Sequence, residues 1–170
     1  MVKNFTARAD GTLRLNEHRV RCALGKGGLR PASEKREGDG ASPVGIWPIR
    51  YVFYRPDRLD RPQTALNCVT LSPDDGWCDD PSSPVYNQHV KLPVEFSHEK
   101  LWRDDHVYDV IVVLGYNDDP PVACLGSAIF LHLAREDYSG TEGCVAIALD
   151  DMRTFLAAAQ PGDGIEITLT

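Results

Sequence analysis

One cysteine and one histidine in the last quarter of the chain have the types and spacing that could support covalent catalysis. His132 lies near the end of an apolar run, and Cys144 follows it within the segment Ser139–Ile147. A cysteine becomes a strong nucleophile when a nearby base or cation removes its proton, and His132 is the nearest histidine in the sequence. These two residue types could therefore form a nucleophile–base pair, with Cys144 as the nucleophile and His132 as the base.

Small and flexible residues surround this cysteine. Gly143 allows another part of the backbone to approach closely. We expect the backbone N–H groups of Gly143 and Cys144 to point at a developing oxyanion. On residue types alone, however, a single cysteine and a single histidine in a β protein are more often core residues than a catalytic pair.

Short apolar runs separated by turn residues predict that these groups lie in a mainly β domain. Two continuous apolar runs, Asp109–Leu114 and Ala128–Leu133, are typical of central buried strands. Apolar or alternating patterns predict further strands at Thr12–Leu15, Val20–Leu24, Val44–Phe53 and Ile165–Thr170.

Helices and loops fill the remaining segments. The glycine-rich stretch Gly25–Gly40 predicts a long surface loop. Ser97–Trp102 predicts a short helix with Ser97 as its N-cap, and Asp150 predicts the start of a second helix. The apolar face of that second helix would contain Met152, Phe155, Leu156 and Ala159. We expect one domain over residues 1–170, a β-sandwich or barrel-like fold with one or two short helices and long loops.

The composition excludes several classes of protein. Of the 170 residues, 42% are hydrophobic and 25% are charged, which is ordinary for a globular domain. The net charge of −7 disfavours a nucleic-acid coat or a polybasic membrane binder. No apolar run is long enough to span a bilayer. We expect a monomer that binds no nucleic acid and has no membrane-spanning segment.

The cysteine and histidine spacings do not indicate a metal site. The five cysteines include no Cys-x-x-Cys pair, and the charged cluster His98–His106 has no evident ligand geometry. These spacings therefore argue against a zinc site, and a zinc hydrolase remains an alternative that would require bound metal.

Two motifs resemble a known family. The pattern of His132 followed by Thr141-Glu142-Gly143-Cys144-Val145 resembles the signature of the L,D-transpeptidase catalytic domain, the YkuD type. Upstream, Gly40–Trp47 resembles the Thr-Pro-x-Gly-x-aromatic segment of that family. The two matches occur in the expected order, and the resemblance covers about residues 12–170.

The resemblance implies a mechanism as well as a fold. Cys144 would attack a peptidoglycan stem peptide at the L-centre of its diamino acid, with His132 as the base and the main-chain carbonyl of Leu133 orienting that histidine. A thioester would form, and the side-chain amine of a second stem would then attack it to make a cross-link. The partners would be donor and acceptor stem peptides, and a carbapenem would acylate Cys144.

The sequence departs from the family pattern at three places. Glu142 replaces the usual histidine two residues before the cysteine, and Ala146 replaces a frequent Arg or Asn. The segment from His132 to Thr141 is also shorter than the family's covering loop. We interpret Glu142 as a group that could bind a substrate ammonium, with a solvated loop carboxylate as the alternative.

Further residues are candidates for contact with the substrate. Thr141 lies in the nucleophile motif, and Arg135 could bind a stem carboxylate. Tyr138 lies between His132 and Cys144 in the sequence, and Trp77 could line the cleft. For Arg135 and Trp77 the alternatives are a solvated loop residue and a core residue, respectively.

Besides the zinc hydrolase, three interpretations of the function remain open from the sequence. The first is a transpeptidase, the second a carboxypeptidase or endopeptidase that hydrolyses the same thioester, and the third a non-catalytic module that binds the cell wall. The resemblance implies action in the periplasm or cell envelope. Because Met1–Thr6 lacks the apolar region of a secretory signal, either the protein works in the cytosol or a leader has been removed.

Overall fold

The computed structural model describes residues 2–170, in which it contains a mixed ten-stranded sheet, a three-stranded sheet and one helix. The large sheet has the order β12-β11-β10-β5-β13-β1-β2-β3, with β4 and β6 also paired to β5, and the small sheet has the order β8-β7-β9. The elements are β1 Asn4–Arg8, β2 Thr12–Leu15, β3 His18–Arg21, β4 Leu29–Pro31, β5 Ser42–Tyr54, β6 Cys68–Thr70, β7 Asp75–Cys78, β8 His89–Lys91, β9 His98–Lys100, β10 Val110–Leu114, β11 Phe130–Leu133, β12 Val145–Ile147, α1 Leu149–Ala158 and β13 Gly164–Thr168.

The large sheet is nearly closed into a barrel. Ala23, just after β3, exchanges two backbone hydrogen bonds with Ala146 of β12, at 2.8 and 2.9 Å. Next to them, Thr141 and Gly25 form a parallel bridge. The two ends of the strand order therefore meet, and the segment that carries the nucleophile motif lies at the closure.

Hydrophobic side chains pack on both faces of the central strands. In β10, Val110, Val112 and Leu114 point into one cluster, and Ile111 and Val113 point into the other. This follows from the period-2 alternation of a strand buried on both sides. Helix α1 packs within the first cluster, whereas Trp77 of the small sheet belongs to the second, which also contains Cys144.

The predicted mainly β fold is confirmed, and its central strands are confirmed with it. Both apolar runs form buried strands, as β10 and β11. The predicted apolar face of α1 is also confirmed, because all four of its residues are buried in the first cluster: Met152, Phe155, Leu156 and Ala159.

Two predictions about helices are wrong. The segment Ser97–Trp102 contains strand β9, in which Glu99 pairs with Trp77 of β7. The hydroxyl of Ser97 donates to Asp79 Oδ1 at 2.6 Å instead of capping a helix. Asp150 lies in the first turn of α1 and not at its N-cap, which is Ala148 without a side-chain hydrogen bond.

The first hairpin is tighter than the sequence pattern predicts. Strand β3 begins at His18, so only two residues connect it to β2. Asn16 adopts a φ of 54°, a left-handed conformation that asparagine tolerates better than most residues. The glycine-rich loop is mostly irregular, as predicted, but it also contains the short strand β4.

The described part of the chain has no helix with the length and apolar character needed to span a membrane. Its five cysteines are free thiols, of which only Cys124 is exposed.

Candidate active site

Parallel pairing of β11 with β12 brings Cys144 and His132 to one face of the sheet. In this pair Leu131 lies opposite Val145, and His132 lies opposite Ala146. Cys144 precedes β12, and the same register places it beside Phe130. Since side chains alternate along strands, His132 and Cys144 share the face that is covered by the small sheet.

The thiol of Cys144 is held by two backbone groups. The N–H of Phe130 donates to Sγ at 3.3 Å, and the thiol donates to the carbonyl oxygen of Ala128 at 3.2 Å. Cys144 is 5% exposed. Burial, together with the nearby carboxylate of Glu99, raises the pKa of the Cys144 thiol to about 12. The Cys144 thiol is therefore protonated at pH 7.

His132 is oriented by the main chain of the next residue. Its Nδ1 lies 2.9 Å from the carbonyl oxygen of Leu133. Because a carbonyl can only accept, Nδ1 carries the proton in the neutral ring and Nε2 keeps a free lone pair. Burial lowers the pKa of His132 to about 4, against the opposing effect of the Leu133 hydrogen bond. The imidazole is neutral at pH 7 and able to accept a proton.

A cavity of about 390 Å³ opens beside this pair. His132 and Ala146 line it, as does Ala128, whose carbonyl receives the thiol hydrogen bond. Cys144 is not one of the lining residues. The walls of the cavity carry charges of both signs, which come from Lys35, Glu37, Asp79, Glu99, Arg103, Arg135 and Glu142. A polar, two-signed cavity suits a peptide that has ammonium and carboxylate groups.

Three of the substrate-contacting residues predicted from the sequence line this cavity: Arg135, Thr141 and Glu142. Arg135 is exposed and lies 3.4 Å from Asp105 through Nη1. Glu142 is also exposed and forms an ion pair with Lys26 at the mouth of the cavity. No local sequence pattern indicates this pairing, because Lys26 belongs to the distant glycine-rich loop.

Trp77 and Tyr138 do not line this cavity. Trp77 is buried in the core, with its ring 5.1 Å from that of Phe130, and its Nε1–H donates to Asn87 Oδ1 at 2.9 Å. Tyr138 points toward the guanidinium of Arg21, which lies 4.3 Å from the ring centroid. The Trp77 ring is thus packed inside the protein, whereas the partly buried Tyr138 ring contacts the exposed Arg21.

The backbone conformation at position 143 requires a glycine. The N–H group of Gly143, however, does not point at an oxyanion site. Its φ is +133°, and a Cβ there would lie 2.8 Å from the carbonyl oxygen of Ala41. Its N–H donates to Thr141 Oγ1 at 3.1 Å, because Thr141 folds back over the motif. The Cys144 N–H makes no hydrogen bond within the described residues and is the remaining donor.

Ser42 supports this loop from the start of β5. It is fully buried, and its hydroxyl donates to the carbonyl oxygen of Gly143 at 2.7 Å while accepting from the N–H of Gly25 at 2.9 Å. Ser42 belongs to the upstream segment of the family resemblance, so the signal was present in the sequence. Its role was not recognisable without the fold.

Tyr108 and Glu99 are further site residues that the sequence analysis missed. The Tyr108 ring packs against the His132 ring at a centroid distance of 5.2 Å, and its hydroxyl donates to Glu99 Oε1. Glu99 was considered only as part of the charged cluster His98–His106, and Tyr108 lies in no recognisable motif. Both residues are far from Cys144 in the sequence, so only the fold brings them to the site. Within residues 2–170 no group of three His, Cys, Asp or Glu side chains is arranged to hold a metal ion.

Comparison with known proteins identifies the family of this arrangement. The model of the YkuD family, described as the L,D-transpeptidase catalytic domain, matches residues 4–167. The match includes β1, which lies before the segment on which the motif resemblance was based. Neither the curated proteins nor the solved structures that were searched gave a match. Since the family model covers nearly the whole chain, the protein belongs to the YkuD family of L,D-transpeptidase catalytic domains.

Proposed function

We propose that the protein is a cysteine-dependent peptidoglycan L,D-transpeptidase that acts in the cell envelope. The observation that carries this proposal is the shared face of Cys144 and His132 at the closure of the sheet, with the Nδ1 of His132 bound to the Leu133 carbonyl. That arrangement leaves Nε2 free to accept the thiol proton. The family match supplies the substrate class.

The first half-reaction forms a thioester. Cys144 Sγ attacks the carbonyl of the diamino acid at its L-centre while the thiol proton passes to His132 Nε2. The Cys144 N–H donates to the resulting oxyanion. The C–N bond then breaks, and the departing D-amino acid takes the proton from His132 as its amine leaves.

The second half-reaction transfers the acyl group. The neutral side-chain amine of an acceptor stem attacks the thioester, and His132 takes the proton from the attacking nitrogen. The C–S bond then breaks, and His132 returns the proton to Cys144. The cycle needs neither a metal nor an organic cofactor.

The raised pKa of the Cys144 thiol and the lowered pKa of His132 determine how the reaction begins. Both groups are neutral at rest, so the site does not store a thiolate–imidazolium pair. Proton transfer must accompany the attack on the carbonyl. We expect slow alkylation of the free protein at neutral pH for this reason.

Glu142 is proposed to select a substrate ammonium at the mouth of the cavity. Its carboxylate is exposed and already paired with Lys26, so an incoming substrate ammonium would take the place of the Lys26 ammonium. Glu142→Gln should then change the preference between stems with a free amine and stems with an acylated amine. Equal turnover and equal preference in the variant would reject this role.

Hydrolysis of the thioester is the second candidate function. The short segment between His132 and Thr141 favours it, because Arg135, Glu136 and Asp137 are exposed and leave the cavity open to water. Water in place of the acceptor amine would make the protein an L,D-carboxypeptidase or endopeptidase with the same catalytic residues.

The deciding experiment is mass spectrometry of muropeptides incubated with the protein and with Cys144→Ala. The substrates are defined tripeptide, tetrapeptide and pentapeptide stems. Cys144-dependent dimers would support transpeptidation, and fragmentation would identify the residues that are joined. Cys144-dependent trimming without dimers would favour hydrolysis. Bound but unchanged substrate with both proteins would favour a wall-binding module.

A carbapenem provides an independent probe of the nucleophile. The family resemblance implies that its β-lactam ring mimics the acyl donor, so the Cys144 thiol should open the ring and carry the adduct. Intact-protein mass spectrometry should detect the added mass in the wild type and not in Cys144→Ala.

A further inference from the structure

A carboxylate without a cationic partner lies in the active-site cavity. Glu99 is half-buried at the edge strand β9, and the Tyr108 hydroxyl donates to its Oε1. Its Oε2 makes no hydrogen bond to the described residues. The guanidinium of Arg103 acts on Glu99 through its charge, but it binds Asp105 through Nε at 2.8 Å and Nη2 at 2.6 Å. The charge of Glu99 is therefore not neutralised by an ion pair within the described residues.

The other charged groups of the cavity have partners among the protein side chains, some of them charged and some of them hydroxyls. Glu37 accepts from the hydroxyls of Tyr86 and Ser127, and Lys35 binds Asp39 at 2.6 Å. The remaining charged residues on the cavity wall also have partners, which are Ser97 for Asp79, Asp105 for Arg135 and Lys26 for Glu142. Glu37, Asp79 and Glu99 are therefore the acidic groups of the cavity wall that an incoming cation could reach without displacing a protein cation. Of these three, Glu99 is the one whose hydroxyl partner, Tyr108, also packs against His132.

Glu99 is also linked to both catalytic groups. Tyr108 holds its carboxylate and packs against the His132 ring, so the three side chains form one contact chain along the cavity. The negative charge of Glu99 acts with burial to raise the pKa of the Cys144 thiol. Burial in turn raises the pKa of Glu99 itself, which opposes an isolated charge at this position. A cation bound at Glu99 would oppose the rise in the pKa of the Cys144 thiol and the rise in the pKa of Glu99 itself.

We propose that Glu99 binds an ammonium group of the donor stem peptide, and that occupancy by this ammonium activates Cys144 as a nucleophile. This inference rests on the proposed function, because it takes the diamino acid of the stem as the source of the ammonium. Tyr108 acts as a positioning residue that holds the carboxylate toward the cavity. The site thereby rejects uncharged donors by leaving the thiol protonated, as well as by weaker binding.

The experiment measures the alkylation rate of Cys144 by iodoacetamide between pH 7 and pH 9. The rate is followed on the Cys144 peptide by mass spectrometry, because Cys124 is exposed and also reacts. The ammonium probe is free diaminopimelic acid, and pimelic acid is its matched control without amines. Diaminopimelic acid should raise the rate in the wild type about tenfold, as expected for a fall of about one unit in the thiol pKa. Pimelic acid should leave it unchanged.

The variants separate charge from structure. Glu99→Gln should show the higher rate without any probe and should not respond to diaminopimelic acid. Tyr108→Phe keeps the ring against His132 but should respond more weakly than the wild type. Glu17→Gln removes the same charge at the exposed turn after β2 and should behave as the wild type. Near-UV circular dichroism identifies any variant that has lost its packing.

The inference would be overturned by identical alkylation profiles in the wild type and a folded Glu99→Gln variant, or by equal effects of the two probes. Alkylation requires no turnover, so its outcome is independent of the muropeptide assay. Cross-linking with no Glu99-dependent alkylation would reject the ammonium site alone. A Glu99-dependent response without Cys144-dependent muropeptide products would reject the proposed function alone.

Discussion

The Ser42 hydroxyl donates to the carbonyl oxygen of Gly143 at 2.7 Å and ties the first residue of β5 to the loop before the nucleophile. The two residues are 101 positions apart in the chain. The bond is buried, and the same hydroxyl accepts from the N–H of Gly25. One side chain thus connects the nucleophile loop, the central strand β5 and the glycine-rich loop.

Ser42→Ala should therefore lower both stability and turnover. The change leaves the Gly143 carbonyl and the Gly25 N–H buried without a partner, at a cost of about 1–3 kcal/mol for each group. Urea unfolding measures the first effect and thioester formation the second. Ser33→Ala is the matched control, because Ser33 is exposed and its side chain makes no such bond. Equal losses in the two variants would contradict a specific role of Ser42.

Gly143→Ala tests the backbone at the nucleophile. The left-handed φ costs about 1–2 kcal/mol for a residue with a Cβ, and that Cβ would also lie 2.8 Å from the Ala41 carbonyl oxygen. Gly28→Ala isolates the first effect, because Gly28 has a φ of +81° and a Cβ added there would meet no atom within 4 Å. We expect Gly143→Ala to lose more unfolding free energy and to abolish thiol reactivity toward substrate. A loss no larger than that of Gly28→Ala would argue against the close contact.

His132 should make the protein less stable in mild acid. Its pKa is about 4 in the folded state against an ordinary value of 6.5, so the unfolded chain binds the proton more readily. The stabilisation is complete above pH 6.5 and is lost as the pH falls toward 4, by about 3 kcal/mol in total. His132→Asn should show a smaller loss of unfolding free energy between pH 7 and pH 4.5. Equal losses of unfolding free energy in the wild type and in His132→Asn would show that carboxylates, and not His132, cause the loss of stability in acid.

Trp77→Phe should affect stability and leave substrate binding unchanged. The indole packs on Phe130 and donates to Asn87, so its replacement removes buried volume and one hydrogen bond. A cost of about 1–3 kcal/mol is expected. Steady-state kinetics on the donor stem should give an unchanged KM for the folded variant. A raised KM would place Trp77 in the path of the substrate after all.

The local patterns of the sequence were sufficient for the central elements. Strand β10 was predictable because five consecutive apolar residues can be buried on both faces of a sheet. Helix α1 was predictable because its apolar residues recur with a helical period. The Cys144 motif was recognisable because its residues are adjacent in the chain. Each of these signals lies within a short segment and does not depend on distant contacts.

Other features were decided only by the tertiary structure. Ser97–Trp102 became part of a strand because β7 offered an edge for pairing, which outweighed its weak helical preference. Trp77 became a core residue because the small sheet covers Phe130, and Gly143 lost its expected donor role because Thr141 folds back on it.

The sequence by itself therefore determined the mainly β class and was sufficient to propose Cys144 as the nucleophile and His132 as its base. Only the tertiary structure decided what surrounds them: Ser42 beneath the loop, Tyr108 against His132 and Glu99 in the cavity. The physical reason is closure of the large sheet, which joins segments from both ends of the chain at one place. Contacts of that kind depend on which distant surfaces meet, and no local pattern of residues encodes them.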